Sequence, residues 1–221
     1  MLILSISTSS NICSCALLED DSIIDELNIY DDKTHSENLM PLIDTLLTSH
    51  NIKISDIDLI ACDNGPGSFT GIRIGVSTVK GLACVYNIPL ISITSLEALA
   101  YNVTKNSGYI CSLIDARNNQ AYCGIFDNNY NLCEDYIADN VNVIINILNK
   151  YNDVTFVGDG VHINKAFLNS DSEKIDQNIH SKNVGIAGYK KYNQGIQQSS
   201  DSILPIYLRP SQAERMRLEN G

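Results

Sequence analysis

Basic residues are scarce in this chain of 221 residues: 15 Lys and Arg stand against 26 Asp and Glu, a net charge of -11. The averaged field repels phosphate backbones, so a nucleic-acid binder acting alone would need a local basic stripe. None is present, and the densest basic spots, Lys190 with Lys191 and the end "RPSQAERMR", read as solvated surface. Paired-cysteine signatures are missing too. The seven cysteines include no C-x-x-C and have no histidine at zinc spacing, which excludes a disulfide framework and a structural zinc site. They read as small buried hydrophobes in a reducing compartment. Long apolar runs are also lacking: "MLILSISTSS" has no basic n-region and too few apolar residues for a signal peptide or a membrane span, so the cytoplasm is the expected location.

What is present is a globular composition, 44% hydrophobic and 19% charged. A compact fold of this length buries roughly 70% of the surface its unfolded chain exposes. "LILSIST", "NICSCALLE" and "SIIDELNIY" are short β-rich runs with turn residues between the second and third, which predicts a meander. "THSENLMPLIDTLLTSH" sets Leu39, Leu42, Ile43, Leu46 and Leu47 on one helical stripe, with Thr34 and Glu37 at capping-box spacing. Pro41 is discordant, so the helix either kinks there or starts near it. "IDLIACD" and "IPLISIT" read as strands, and "SLEALAYNV" as a helix capped by Thr94. From about Lys105 the order repeats, with "GYICSLIDAR", "QAYCGIFD" and "LCEDYIAD" as strands, "NVNVIINILNK" as a helix and "DVTFVGDG" as a strand. The chain is therefore expected to be α/β with mixed sheets, in two tandem βββαβα subdomains of the actin, Hsp70 and sugar-kinase group. The expected division is 1–104 and 105–221, with the C-terminal segment packing back on the first subdomain. In that group ATP lies between the halves, so the fold alone would suggest a nucleotide enzyme.

"DNGPGSFTGIRIGVSTVKG" tests that suggestion. A P-loop requires G-x-x-x-x-G-K-[ST], and counting from Gly65 or Gly67 the second glycine position holds Thr70 or Ile72. The dinucleotide fingerprint matches Gly65 and Gly67 but has Thr70 in third place. The stretch reads better as a turn launching a helix, with Ile72, Val76, Val79 and Ala83 on one stripe and Gly71, Gly75 and Thr78 on a small-residue stripe beside it. Each helical glycine costs about 0.8 to 1 kcal/mol against alanine, so close packing, within the chain or across a partner interface, must offset it.

"HSENLMPLIDTLL", "NGPGSFTGIRIGVSTVKGLA", "IPLISITSLEALA", "IDARNNQAYCGIF", "VGDG" and "LPIYLRPSQAE", in that order, strongly resemble the TsaB (YeaZ) family over nearly the whole chain. The resemblance implies an accessory role. Such a protein pairs with its paralogue TsaD and with the ATPase TsaE to move a threonylcarbamoyl group from its adenylate to the adenosine 3′ of the anticodon in tRNAs reading ANN codons. TsaD carries the chemistry, and tRNA is met only through the complex. The resemblance further implies a heterodimer contact through a helical bundle, here Leu39, Ile43 and Leu46 of the first helix and Phe69, Gly71, Arg73, Gly75, Val76, Thr78 and Val79 of the glycine-rich helix. Alone, the chain would homodimerise. No cofactor would be tightly bound, and ATP or ADP, where present, would sit at the interface with the partner.

Departures from the paralogue support a non-catalytic reading. Where TsaD carries two metal-binding histidines four apart, this chain has Ser95 and Leu99, and leucine cannot ligate. Its own histidines, His35, His50, His162 and His180, are isolated in sequence. Ser7 stands where members of the wider ATP-binding group place an aspartate. Gly65, Gly67, Gly158 and Gly160 are assigned to structure around the cleft. Asp115 and Arg117 are either a strand end with a local pair or a support for a partner-facing cleft. The alternatives are an independent small-molecule kinase or ATPase of the same fold, a metallopeptidase, and a homodimeric scaffold.

Overall fold

A computed structural model describes residues 1–30, 34–104, 108–168 and 174–209. The expected division at 104/105 abuts residues 105–107, which, with the basic end from residue 210 onward, lie outside the described residues.

The first sheet has β1 (Leu2–Ser7), β2 (Cys13–Glu19), β3 (Ser22–Ile29), β4 (Leu59–Asp63) and β5 (Leu90–Ile93), in the order β3-β2-β1-β4-β5. β1 to β3 form the antiparallel meander, and β4 and β5 continue it in parallel. The second sheet has β6 (Tyr109–Asp115), β7 (Gln120–Phe126), β8 (Ile137–Asn140) and β9 (Val154–Val157), in the order β8-β7-β6-β9 with β6 and β9 parallel. A meander followed by a right-hand neighbour reached through a helical crossover thus occurs twice, the arrangement of the actin, Hsp70 and sugar-kinase fold. Only Ile137–Asn140 of the expected third strand pairs with β7; upstream, Leu132 makes a single bridge to Phe126.

The strands at the sheet centre read as apolar runs because both faces are covered. On one face lie α1 (His35–Ser49) and α2 (Phe69–Tyr86), which bury Leu42, Ile43, Ile72 and Val79 against Leu4, Cys15 and Ile60. Each such side chain contributes about 1.5–3 kcal/mol. On the other lie α3 (Ser95–Ala100) and α5 (Ser181–Asn193), between the two sheets. A third cluster packs α4 (Val141–Leu148) on the second sheet.

The capping box forms at Thr34 and Glu37, and α1 begins there rather than at Pro41. The helix accommodates Pro41 on its exposed side. α3 is shorter than the sequence suggests: the chain turns after Ala100, and Asn102 donates to the carbonyls of Asp176 and Asn178 at 2.8 Å each. Not all cysteines are buried as expected; Cys84 and Cys133 lie at the surface. The outer edge of β5 is covered by the C-terminal segment, Leu90 and Gln198 exchanging both backbone hydrogen bonds.

Candidate functional site

Two places could carry function: the outer helices α1 and α2, and the cleft between the sheets. In the helices, Leu39, Ile43, Leu46, Gly71, Gly75, Val76 and Val79 all point into the chain's own core. They cannot present the partner face that the sequence reading gives them. The glycine stripe is explained within the chain, because a Cβ on Gly71 would overlap the Thr8 carbonyl and one on Gly75 the Thr8 hydroxyl. Thr8 Oγ1 in turn donates to Gly71 O at 2.7 Å. Phe69 and Arg73 are engaged as well: the Phe69 ring stacks on Tyr207 at 4.7 Å, and Arg73 Nε donates to the Tyr207 hydroxyl at 2.7 Å. Thr78 is half-buried. What α2 turns outward is a different stripe, Arg73, Ser77, Gly81 and Val85, the last 75% exposed. Apart from the adjoining backbone of α2 itself, no described heavy atom lies within 4 Å of where a Gly81 Cβ would stand. On α1 the outward residues include Met40, Asp44 and Thr48.

The "NGPGS" loop is tied to the chain around it. Gly65 takes a φ of +104°, which favours glycine, and the amides of Asn64, Gly65 and Ser68 are used inside the chain, on Ile93 O at 3.0 Å, Asp63 Oδ1 at 3.0 Å and Ser9 O at 2.7 Å. A Cβ on Gly67 would overlap the Ser9 carbonyl. The "VGDG" glycines are likewise structural, since Gly158 and Gly160 lie against Leu113 of β6, and Gly158 N donates to Gln177 Oε1 at 2.6 Å.

The cleft, about 700 Å³, opens between the β1–β2 turn and the β6–β7 turn, with His35 and Asp159 among its walls. Asp115 Oδ1 accepts from Arg117 N at 2.7 Å, and Asp159 Oδ1 accepts from Asp115 N at 2.9 Å. Arg117, Asn118 and Asn119 have φ of +65°, +54° and +56°, so the turn is left-handed at consecutive residues. Asparagine tolerates this; arginine does so at a cost. The Arg117 side chain is 87% exposed and sits 3.9 Å from Asp115, so the ion pair adds little. Asp115 and Arg117 thus form the tight turn of the local reading, and both line the cleft. Arg117→Gly should leave stability unchanged or raise it by up to about 1 kcal/mol, measured by urea unfolding. A loss would mean that the guanidinium makes a contact that matters.

At the place where the paralogue's metal ligands would fall, Ser95 donates to Asp63 Oδ1 at 2.6 Å and Leu99 is buried in the core. Neither position fits a metal. Among the described residues no group of three His, Cys, Asp or Glu could hold a metal ion, and no helix is long and apolar enough to cross a membrane.

Two polar centres escaped the sequence reading. Asp63 ends β4 with no exposed surface, and Ser7, Ser9 and Ser95 all donate to it. Only its position just before "NGPGS" hinted at it. The other is at the start of α5, where His180 Nε2 meets Asp176 at 2.7 Å and its Nδ1 lies 3.5 Å from Glu26 of β3. Glu26 also accepts from Ser181 Oγ at 3.1 Å and from Lys182 N at 2.9 Å, so a strand residue caps a helix far along the chain. His180 is isolated in sequence but not in space. His50 likewise meets Asp25 at 2.8 Å, and His35 Nε2 meets the Ser10 carbonyl at 2.8 Å.

Comparison with known proteins places these features in context. The family model for TsaD, tRNA N6-adenosine threonylcarbamoyltransferase, matches residues 30–215. The tRNA threonylcarbamoyladenosine biosynthesis protein TsaB of Bacillus subtilis (strain 168) is 30% identical over 231 residues, covering 100% of this chain and 99% of that protein. Its namesake in Escherichia coli (strain K12) is 32% identical over 124 residues, 55% of this chain and 53% of that protein. Among solved structures, YeaZ from Pseudomonas aeruginosa superposes with a TM-score of 0.78 at 25% identity, covering 94% of this chain and 99% of that one.

Proposed function

This chain belongs to the TsaB (YeaZ) family, and from that premise we propose that it is the non-catalytic partner of TsaD. Working with TsaE, the pair moves a threonylcarbamoyl group to the adenosine 3′ of the anticodon in tRNAs that read ANN codons. The chain reaches tRNA only through the complex, which suits its net charge of -11. A non-catalytic role is supported by the side chains at these positions: Leu99 cannot ligate a metal, and Ser95 and Ser7 spend their hydroxyls on Asp63 at 2.6 and 2.7 Å. An independent kinase of this fold would need phosphate-gripping amides, and those of Asn64, Gly65 and Ser68 are already used. Two acidic residues, Asp115 and Asp159, line the cleft with the exposed Arg117, so ATP or ADP gains little hold from this chain alone and would sit where the cleft meets the partner.

The observation that carries the partnership is Gly81. A glycine inside an 18-residue helix costs about 1 kcal/mol against alanine. Gly71 and Gly75 recover that cost against Thr8, whereas among the described residues nothing beyond its own helix lies near Gly81. Close approach of a partner helix along Ser77, Gly81 and Val85 would recover it. Without TsaD, the same face pairs two copies.

Gly81→Leu is the test. The variant should melt about 2–4 °C above wild type, because its side chain enters open space and the cost of the helical glycine is relieved, yet lose the complex with TsaD on size-exclusion chromatography by at least tenfold in affinity. An intact complex would place the contact elsewhere.

A further inference from the structure

Asp63 is a fully buried carboxylate whose contacts are all neutral, since no ion pair reaches it among the described residues. Its Oδ2 accepts from Ser7 Oγ at 2.7 Å and from Ser9 Oγ. Its Oδ1 accepts from Ser95 Oγ at 2.6 Å and from Gly65 N at 3.0 Å. Each oxygen thus takes two donors, the full capacity of an ionised carboxylate. The donors come from four segments: the end of β1, the β1–β2 turn, the loop ahead of α2 and the first residue of α3. β1 and β4 pair in parallel with Ile6 opposite Cys62, which sets Ser7 beside Asp63.

A buried anion without a counter-ion is costly unless hydrogen bonds saturate it. The backbone amide of Gly65 can only donate, and the three hydroxyls converge with it on one point. Such a set of donors is a receptor for a small oxyanion. We propose that Ser7, Ser9, Ser95 and the Gly65 amide form an anion-binding cage that the chain fills from within, the Asp63 carboxylate standing in the place of a free oxyanion. The hydroxyl of Ser9, at the β1–β2 lip of the cleft, is thereby turned inward and withheld from any phosphate entering it. The same internal anion fastens together the four segments that support the N-terminal end of α2. Burial pushes the Asp63 carboxyl above its ordinary range, while Ser9, Ser95, Gly65 and Ser7 pull it back. The cage works by keeping the ionised form in place at neutral pH.

The cage exists independently of the partner, so the test needs only the purified chain. Asp63→Ala removes the carboxylate and leaves its donors. Its melting temperature should fall by about 5 °C or more, and sodium formate should restore at least half of that loss with a saturable dose response, while sodium chloride of equal ionic strength does not and wild type does not respond. A folded Asp63→Ala chain indifferent to formate overturns the proposal. A second measurement does not depend on that variant folding: the carboxyl carbon shift of Asp63 in wild type, followed by NMR from pH 5.5 to about 8, should report the ionised form across neutral pH. A protonated Asp63 at pH 7 also overturns it, because a neutral acid needs no anion cage. Binding to TsaD plays no part in either readout, so failure here leaves the partner reading intact.

Discussion

Gly71→Ala should lower the melting temperature by about 10 °C, a loss of about 3 kcal/mol or more for a chain of this size. The added Cβ would overlap the carbonyl oxygen of Thr8, which belongs to the backbone of the β1–β2 turn and cannot swing aside like the end of a side chain. Relieving the clash means moving α2 away from the sheet, which opens the packing of Ile72, Val76 and Val79 and breaks the Thr8 to Gly71 hydrogen bond of 2.7 Å. Gly75→Leu acts in the same direction, since its Cβ meets the Thr8 hydroxyl. Differential scanning calorimetry of the isolated chain decides the matter. Were Gly71→Ala to melt like wild type and fail only in partner binding, the small-residue stripe would face outward after all.

The second large effect is in the capping of α5. Burial pushes the Glu26 carboxyl up, but His180, the Lys182 amide and the Lys182 charge more than offset it, and the group is held at about 2 against an ordinary 4.5. His180 is raised above 6.5, chiefly by Glu26, with burial opposing and Asp176 adding to the rise. The signs follow from linkage. The Glu26 contribution is complete above pH 4.5 and disappears as the pH falls toward 2. The His180 contribution is complete below pH 6.5 and disappears as the pH rises through its raised value. The cluster thus stabilises most between about pH 4.5 and 6.5. Glu26→Gln should cost about 2 kcal/mol at pH 6, allowing for solvent screening, and should flatten the pH dependence on both sides. Urea unfolding at pH 3, 6 and 8 measures it. A variant that keeps the wild-type pH profile would show that α5 is held by its apolar face alone.

How far the sequence foretold this can be judged residue by residue. The capping box at Thr34 and Glu37 and the leucine stripe behind it are local, so their spacing revealed α1 without reference to the rest of the chain. The doubled order of strands and helices fixed the fold class for the same reason. Gly71 and Gly75 were legible as close-packed but not as inward-facing, because their neighbour Thr8 lies 63 residues away from Gly71 and meets it only once β1 and β4 have paired. The Asp63 cage depends on the register that sets Ser7 beside it across 56 residues, and the α5 cap joins Ser181 to Glu26 across 155. Pairings over such distances are properties of the folded sheet rather than of any window of sequence. Gly81 is the converse case: the sequence reading did not single it out, and it draws attention only because the described residues offer it no neighbour beyond its own helix.

The central claim, that this chain completes TsaD rather than reacting itself, is tested most directly by a reconstituted transfer assay with threonylcarbamoyl-adenylate and an ANN-decoding tRNA, read by nucleoside mass spectrometry. Modified adenosine should form when TsaD, TsaE and this chain are combined, fall to background when this chain is omitted or replaced by Gly81→Leu, and be absent with this chain alone. Modification of the tRNA by this chain in the absence of TsaD would contradict the account.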